Sequence, residues 1–402
     1  MERRLRTWVR TFMLLAIGAT GAVSQAATSP HIPKKALVRV CAAQLATKYI
    51  SWKLAPMDAL QGVDTTLLQL EQLVEQAGRG GCDVLALPED TLGLLQWEVG
   101  NKAAMRRVLP EAVTQMLIRL GKAAAKYNMY LVCASDTVKP DGSYRNTAFL
   151  LNRDGREIGR YYAVQPAISE SDRVRGTRFP VIKTVDLGWV GMLICSDMIF
   201  PEAARALALA GADIIFDPSL GGAVYSGDPG LQRAAFRTRA VDNFVYLVVA
   251  MRGRGAMIIS PKGEVLAEGK GSNGIAMAEI DPFSGRSGGD AANHQLDMRA
   301  RLFRERNPAA YGILTDPNPP VLKKVPATTT IKQAVRILDE MLTTGAEHFD
   351  RAEALYRQGK TTEAAAIYRR LRAELPGTWI DRAAQKRLAS IRAPGHSQKN
   401  TE

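Results

Sequence analysis

Residues 190–202 read VGMLICSDMIFPE. An apolar run from Val190 to Ile194 stops at Cys195, next to the polar pair Ser196-Asp197. Pro201-Glu202 then opens the Ala/Leu-rich stretch PEAARALALAG, which reads as a helix with proline at its start. Strand, polar residue, helix is the unit of an α/β fold, and such folds gather their sites where strands end. A thiol near a helix N-terminus is easier to ionise, which makes Cys195 a candidate nucleophile.

Working outward, the same alternation extends over residues 37–316. ALVRVCAAQL, CDVLALPE, MYLVCASDT, ADIIFDPS and FVYLVVAM read as strands. VDTTLLQLEQLVEQAG, AVTQMLIRLGKAAAKYN and LQRAAFRTRAVDN read as helices. NTAFLLN and REIGRYY flank Arg153-Asp154-Gly155, a hairpin signal. Helices interleaved with strands and hairpins predict α/β layers in which helices cover mixed sheets.

Two further segments end apolar strands in the same manner. LALPED, residues 85–90, places Glu89 just past Pro88. Partial desolvation there raises a carboxyl toward the range of a general base, and a glutamate beside a cysteine makes a base–nucleophile pair. GRYYAVQP, residues 159–166, ends on Ala163-Val164-Gln165.

Taken in order, LALPED, NTAFLLNRDGREIGRYY, ICSDMIFPE, FRTRAVDNFVYLVVAMR and AMIISPKGEVLAE resemble the nitrilase, or carbon–nitrogen hydrolase, superfamily over residues 37–316, with RNPAAYGILTD at its end. The resemblance implies a four-layer α-β-β-α sandwich and a homodimer joined through its helices. It also implies cysteine-dependent hydrolysis of a small amide or nitrile, with Glu89 as base and Cys195 as nucleophile. A second glutamate, which braces a lysine and the substrate, is matched by Glu170 in AISESD. Arg239 and Asn243 match a helix motif of structural role.

The lysine of the resembling pattern is missing. Gly-x-Tyr-x-Lys-x-His is replaced by Gly159-Arg160-Tyr161-Tyr162-Ala163-Val164-Gln165, and no lysine occurs between Lys139 and Lys183. Loss of one such donor to a tetrahedral intermediate costs about 2.7–4 kcal/mol. Without a counter-charge, Glu89 and Cys195 are expected to raise each other's pKa. Three readings stand. One is an exported hydrolase of low or altered activity, with Arg160, Arg173 or Arg175 supplying the cation. The second is an inactive protein that keeps the pocket and binds a ligand. The third is a sandwich that serves as a scaffold for C-terminal helices.

The remainder bounds the context. The chain of 402 residues carries a formal charge of +13, spread along its length without a nucleic-acid-binding motif. The basic start MERRLRTWVR, an apolar run of about a dozen residues and Ser24-Gln25-Ala26 predict a signal peptide over 1–26 and export to a periplasmic or secreted location. Cys41 and Cys133 lie in apolar runs, so Cys41, Cys82, Cys133 and Cys195 are expected to be free, although an even count in an oxidising compartment admits disulfides. No metal-ligand spacing or phosphate loop is present, so no metal and no cofactor are expected. Residues 317–330 read as a linker and 393–402 as a disordered tail. Residues 331–392 resemble one tetratricopeptide repeat, with Gly359, Ala364, Tyr368 and Pro376 at its spacings, or an ordinary helical hairpin. Either must dock on the main domain or on a protein partner. Trp97 and Tyr225 are candidates for lining a pocket.

Overall fold

A computed structural model describes residues 37–46, 49–167, 170, 172–221, 229–284, 298–324, 348–374 and 379–392. The expected signal peptide, the Gly-rich stretch with Tyr225, residues 325–330 of the linker, residues 331–345, Pro376 and the terminal tail lie outside the described residues.

Among the described residues twelve strands form one sheet, folded upon itself. Its central strand is β1 (Val38–Leu45), which joins the two halves. On one side β1 pairs in parallel with β2 (Val84–Ala86), then come β3 (Tyr130–Val138), β4 (Tyr144–Leu151) and β5 (Glu157–Tyr162). The other half holds β6 (Val181–Lys183), β7 (Trp189–Met192), β8 (Ile214–Ser219) and β9 (Tyr246–Arg252), and β9 meets β1 in parallel at Gln44↔Met251. β10 (Met257–Ile259) and β11 (Val265–Glu268) extend β9, and β12 (Gly274–Ile280) lies antiparallel to β1.

Helices cover both outer faces, giving the expected four-layer α/β sandwich. α1 (Pro56–Arg79) and α3 (Met105–Lys126) bury Val63, Leu67, Leu70, Met116 and Leu120 against one face of β1–β4, with the short α2 (Leu95–Gly100) beside them. α4 (Pro201–Leu209) and α5 (Pro229–Asn243) pack Leu207, Phe236 and Ala240 against the other half. Between the halves, Val40, Ala42, Val132, Ala148, Tyr161, Ala163, Ile215 and Val248 share one core. These strands are apolar on both faces because both faces are covered.

The predicted hairpin is present. β4 and β5 are antiparallel, and the turn between them presses onto α3. Gly155 there has φ +75°, and a Cβ on either Gly155 or Gly121 of α3 would strike the other's backbone. Glycine at both positions lets the hairpin lie against the helix, which fixes the ends of β4 and β5 remote from Asn146 and Ala163.

After β12 come α6 (Met298–Arg304) and exposed 3-10 turns at Pro308–Thr315 and Pro320–Lys323. The C-terminal unit comprises α7 over 348–357, α8 (Thr361–Glu374) and α9 (Trp379–Arg392). Ala352, Ala364, Tyr368, Ala384 and Leu388 form a small core of their own, and Glu353 accepts hydrogen bonds from Tyr368 and Arg387. Lys53 pairs with Asp350 of α7, a contact between this unit and the main sandwich.

One expectation is corrected here. Cys41 and Cys82 are joined in a disulfide, with Cα atoms 6.2 Å apart, while Cys133 and Cys195 are free. The apolar run around Cys41 predicts burial correctly. It does not reveal that the chain entering β2 returns beside β1, which brings Cys82 within bridging distance.

Candidate active site

The three segments singled out in the sequence leave the sheet at one edge. β2 and β7 run parallel to their central neighbours, and β5 runs in the direction of β3, so Glu89, Ala163 and Cys195 follow C-terminal strand ends. Glu89 sits in a bulge of β2's continuation. Leu87 and Thr91 both donate backbone N–H groups to β3, at Val132 and Ala134, while Pro88-Glu89-Asp90 arches between them. Asp90, at φ 48°, turns the chain, and its Oδ1 accepts from the N–H groups of Leu94 and Leu95 at 2.8 and 3.2 Å.

Cys195 occupies a sharp turn between β7 and a 3-10 turn, Cys195–Ile199, with φ 45°. A left-handed backbone at a non-glycine residue costs roughly 1–2 kcal/mol and persists only where the surroundings impose it. Here Asp217 of β8 accepts from the Cys195 N–H at 2.9 Å. Asp197 accepts from the Ile194 N–H at 3.1 Å, the Tyr161 hydroxyl at 2.7 Å and the Gln165 N–H at 2.7 Å. It thereby ties the cysteine turn to the segment that follows β5. The sequence marks Asp197 only as a polar neighbour, and its function as a strut depends on contacts with distant residues.

The structure brings Glu89 and Cys195 together. The Glu89 carboxyl, the Ser219 hydroxyl and the Leu220 N–H lie near enough to the thiol to shift its proton affinity. Glu89 is buried. It accepts from Asn146 Nδ2 at 2.7 Å and from the Leu220 N–H at 3.1 Å. Glu170 joins the group through the same amide, with Asn146 Nδ2 2.9 Å from its Oε1. Asn146 is absent from the residues chosen on sequence grounds. Its signal was an amide heading the apolar strand NTAFLL, where asparagine is disfavoured unless it has partners.

Burial pushes Glu89 up to about 8, against the pull of its hydrogen bond to Asn146 and of the nearby Cys195 thiol. Burial and the nearby Glu89 push the Cys195 thiol well above its ordinary range. This corrects the expectation that a helix start eases its ionisation, because desolvation outweighs the turn's few amide dipoles. Glu170 is raised by burial and by Glu89, and Asp90 is raised by burial to about 7.

Of the arginines proposed as substitute cations, Arg160 and Arg173 are committed elsewhere. Arg160 is exposed and pairs with Glu157. Arg173 is buried, with bonds to Asp136 at 2.6 Å, Glu98 at 3.1 Å and Asp172 at 2.8 Å. Arg175 is exposed. Among the described residues neither Glu89 nor Glu170 forms an ion pair. Trp97 is fully buried and donates to the Leu54 carbonyl, so it packs the core. Asn243 donates to the Arg239 carbonyl at 2.8 Å within α5.

The carbon-nitrogen hydrolase family model matches residues 42–287. A deaminated glutathione amidase from Synechocystis sp. is 29% identical over 251 residues, covering 56% of this chain and 89% of that protein. A nitrilase from Pyrococcus abyssi is 28% identical over 261 residues, covering 62% and 93%. Among solved structures, a carbon-nitrogen hydrolase from Helicobacter pylori G27 matches with TM-score 0.56 and 22% identity, over 70% of this chain and 99% of that one. An amidase from Nesterenkonia sp. matches with TM-score 0.52 and 22% identity, over 66% and 95%. At such identity the structures bear on the fold alone.

Proposed function

The chain belongs to the carbon-nitrogen hydrolase family, and from that premise we propose that it is an exported hydrolase of a small amide or nitrile, using Cys195 as nucleophile and Glu89 as base. The carrying observation is the convergence of both residues on the end of β8: Asp217 accepts from the Cys195 N–H in the turn after β7, and Leu220, just past β8, donates its N–H to the buried Glu89 carboxyl.

In this reading Glu89 takes the thiol proton as sulfur attacks the amide carbon. The amide oxygen gains the negative charge. The N–H of the residue after such an elbow nucleophile is the usual first donor to that oxygen, here Ser196. Glu89 returns the proton to the leaving nitrogen, and ammonia or an amine departs. Water then gives a proton to Glu89 as it attacks the thioester. The acid leaves and the thiol is restored. Glu89, with a pKa near 8, is suited to both proton transfers close to neutral pH.

Export rests on the N-terminal pattern and fits the Cys41–Cys82 disulfide, since such bonds persist in oxidising compartments. A homodimer is part of the proposal. Leu302, Tyr311, Ile313 and Leu314 stand exposed along one stretch after β12, a surface that a second copy would cover.

A second reading is favoured by a specific observation: Ala163 leaves Glu89 and Glu170 without an ion pair, and the thiol is pushed up. In that reading the protein binds a ligand without turnover, or acts through its tetratricopeptide-like C-terminal helices on a protein partner. Ammonia release from a panel of small amides and nitriles separates the two. Turnover lost in Cys195→Ala supports the hydrolase. Silence in the native protein, with activity appearing in Ala163→Lys, supports binding alone.

A further inference from the structure

Behind Glu89 lies a cavity of about 10 Å³, room for one water-sized group. It is lined by Glu89, Asp90, Glu98, Asp136, Glu170 and Asn146, with Ser135 and Leu220 at its sides. Arg173 answers Glu98 and Asp136. Glu89 and Glu170 share only the neutral Asn146 amide. Three further buried oxygens on the lining, Asp90 Oδ2, Ser135 Oγ and Asp136 Oδ1, have no hydrogen-bond partner. Asp90 is 8% exposed and Ser135 2% exposed, so bulk water does not satisfy them.

We propose that this cavity binds a primary ammonium group, RNH₃⁺, carried by the ligand. Resting on the hydrolase reading, this makes the substrates amine-bearing amides. An ammonium has three N–H donors and no acceptor, which suits a lining of acceptors only partly used. The two Glu89 oxygens accept one hydrogen bond each from within the protein, and a carboxylate offers about four lone-pair sites. Size selects further: guanidinium and quaternary ammonium ions exceed a one-water space. Among the described residues no three His, Cys, Asp or Glu side chains converge on a metal position.

Position completes the case. Ala163 lies across from Asn146 in the β4–β5 ladder, and its N–H donates to the Asn146 carbonyl at 3.0 Å. Directly opposed residues project to the same face. Ala163 thus puts a buried methyl where the family pattern has a lysine, and leaves the side of the Asn146 amide without a cation.

The test uses the mature, full-length protein and two readouts. First, alkylation of Cys195 by iodoacetamide at mildly alkaline pH is followed with methylammonium, sodium, tetramethylammonium or guanidinium chloride at equal ionic strength. Methylammonium alone is expected to change the rate, accelerating it roughly tenfold by offsetting the carboxylates that oppose the thiolate. It is also expected to raise the melting temperature. Both effects should vanish in Glu170→Gln. Second, hydrolysis of β-alaninamide is compared with that of the isosteric, uncharged butanamide. The charged amide is expected to win by tenfold or so, and the ratio to collapse in Ala163→Lys. If methylammonium also brings butanamide up to that rate, the site takes the free ion as well as the substrate-borne one. A methylammonium effect without turnover of either amide keeps the ammonium site and sinks the hydrolase. Equal turnover of both amides with no methylammonium effect keeps the hydrolase and overturns the site.

Discussion

Ala163 and Asn146 face each other across the β4–β5 pair, joined by a 3.0 Å hydrogen bond from the Ala163 N–H to the Asn146 carbonyl. The position that the family pattern gives to lysine therefore stands beside the one amide that touches both Glu89 and Glu170. Introducing Ala163→Lys puts an ammonium next to both carboxyls. Amide hydrolysis is expected to rise by about 10²–10³, the usual worth of one such donor. Ala163→Met, of similar length but uncharged, should give no gain. Ammonia release from the two variants decides this.

Removing the amide has the opposite result. Asn146→Ala takes one hydrogen bond from each of two buried carboxyls. Bonds to charged groups are worth about 1.5–3 kcal/mol each, so the variant should be less stable in urea at unchanged m. Glu89 should also titrate higher than its native value, near 8, because its Asn146 bond lowers its pKa. The rise of kcat/KM with pH should move to more alkaline values accordingly.

Stability should fall as pH rises through neutrality. Glu89, Glu170, Glu98 and Asp90 are all raised by burial. A carboxyl whose folded pKa lies above its unfolded one favours the fold at low pH, and that contribution is lost as pH climbs through the folded value. For Asp90 and Glu89 the loss spans the interval from the ordinary carboxylate range to about 7 and about 8. Scanning calorimetry between about pH 5 and pH 8.5 should show the melting temperature dropping, and dropping less in Glu89→Gln. A flat profile in the native protein would contradict the assignment.

Arg173 holds a buried network whose loss is costly. Its guanidinium serves Asp136 and Glu98, both buried, and lies 5.7 Å from the Tyr144 ring centroid. Arg173→Ala leaves both carboxyls without their cation, at a cost of about 3–5 kcal/mol. Lowering the pH should recover part of this by protonating the carboxyls. Urea midpoints measured at neutral and acidic pH test both statements.

The disulfide gives a direct chemical check. Thiol titration of the unfolded, unreduced protein should find two thiols, Cys133 and Cys195, and reduction should raise the count to four. The bridge spans 41 residues, and its removal in Cys82→Ser should cost about 2–4 kcal/mol of stability.

The α/β layering was legible in the chain, because strand and helix periodicities are local and their alternation leaves few arrangements. The strand ends LALPED and LICSDMIFPE singled out Glu89 and Cys195, and the resemblance to nitrilases pointed to Glu170 in AISESD and to Ala163 where a lysine was wanted. The tertiary structure alone decided what surrounds them. Asn146 reaches Glu89 from 57 residues away, and Asp197 grips Tyr161 from 36 residues away. The disulfide depends on the return of the chain beside β1, and the raised thiol on every group that excludes water from it. Periodicity records which face of an element is buried. Which polar groups meet there, and how far their charges are desolvated, is set by pairings distant in sequence.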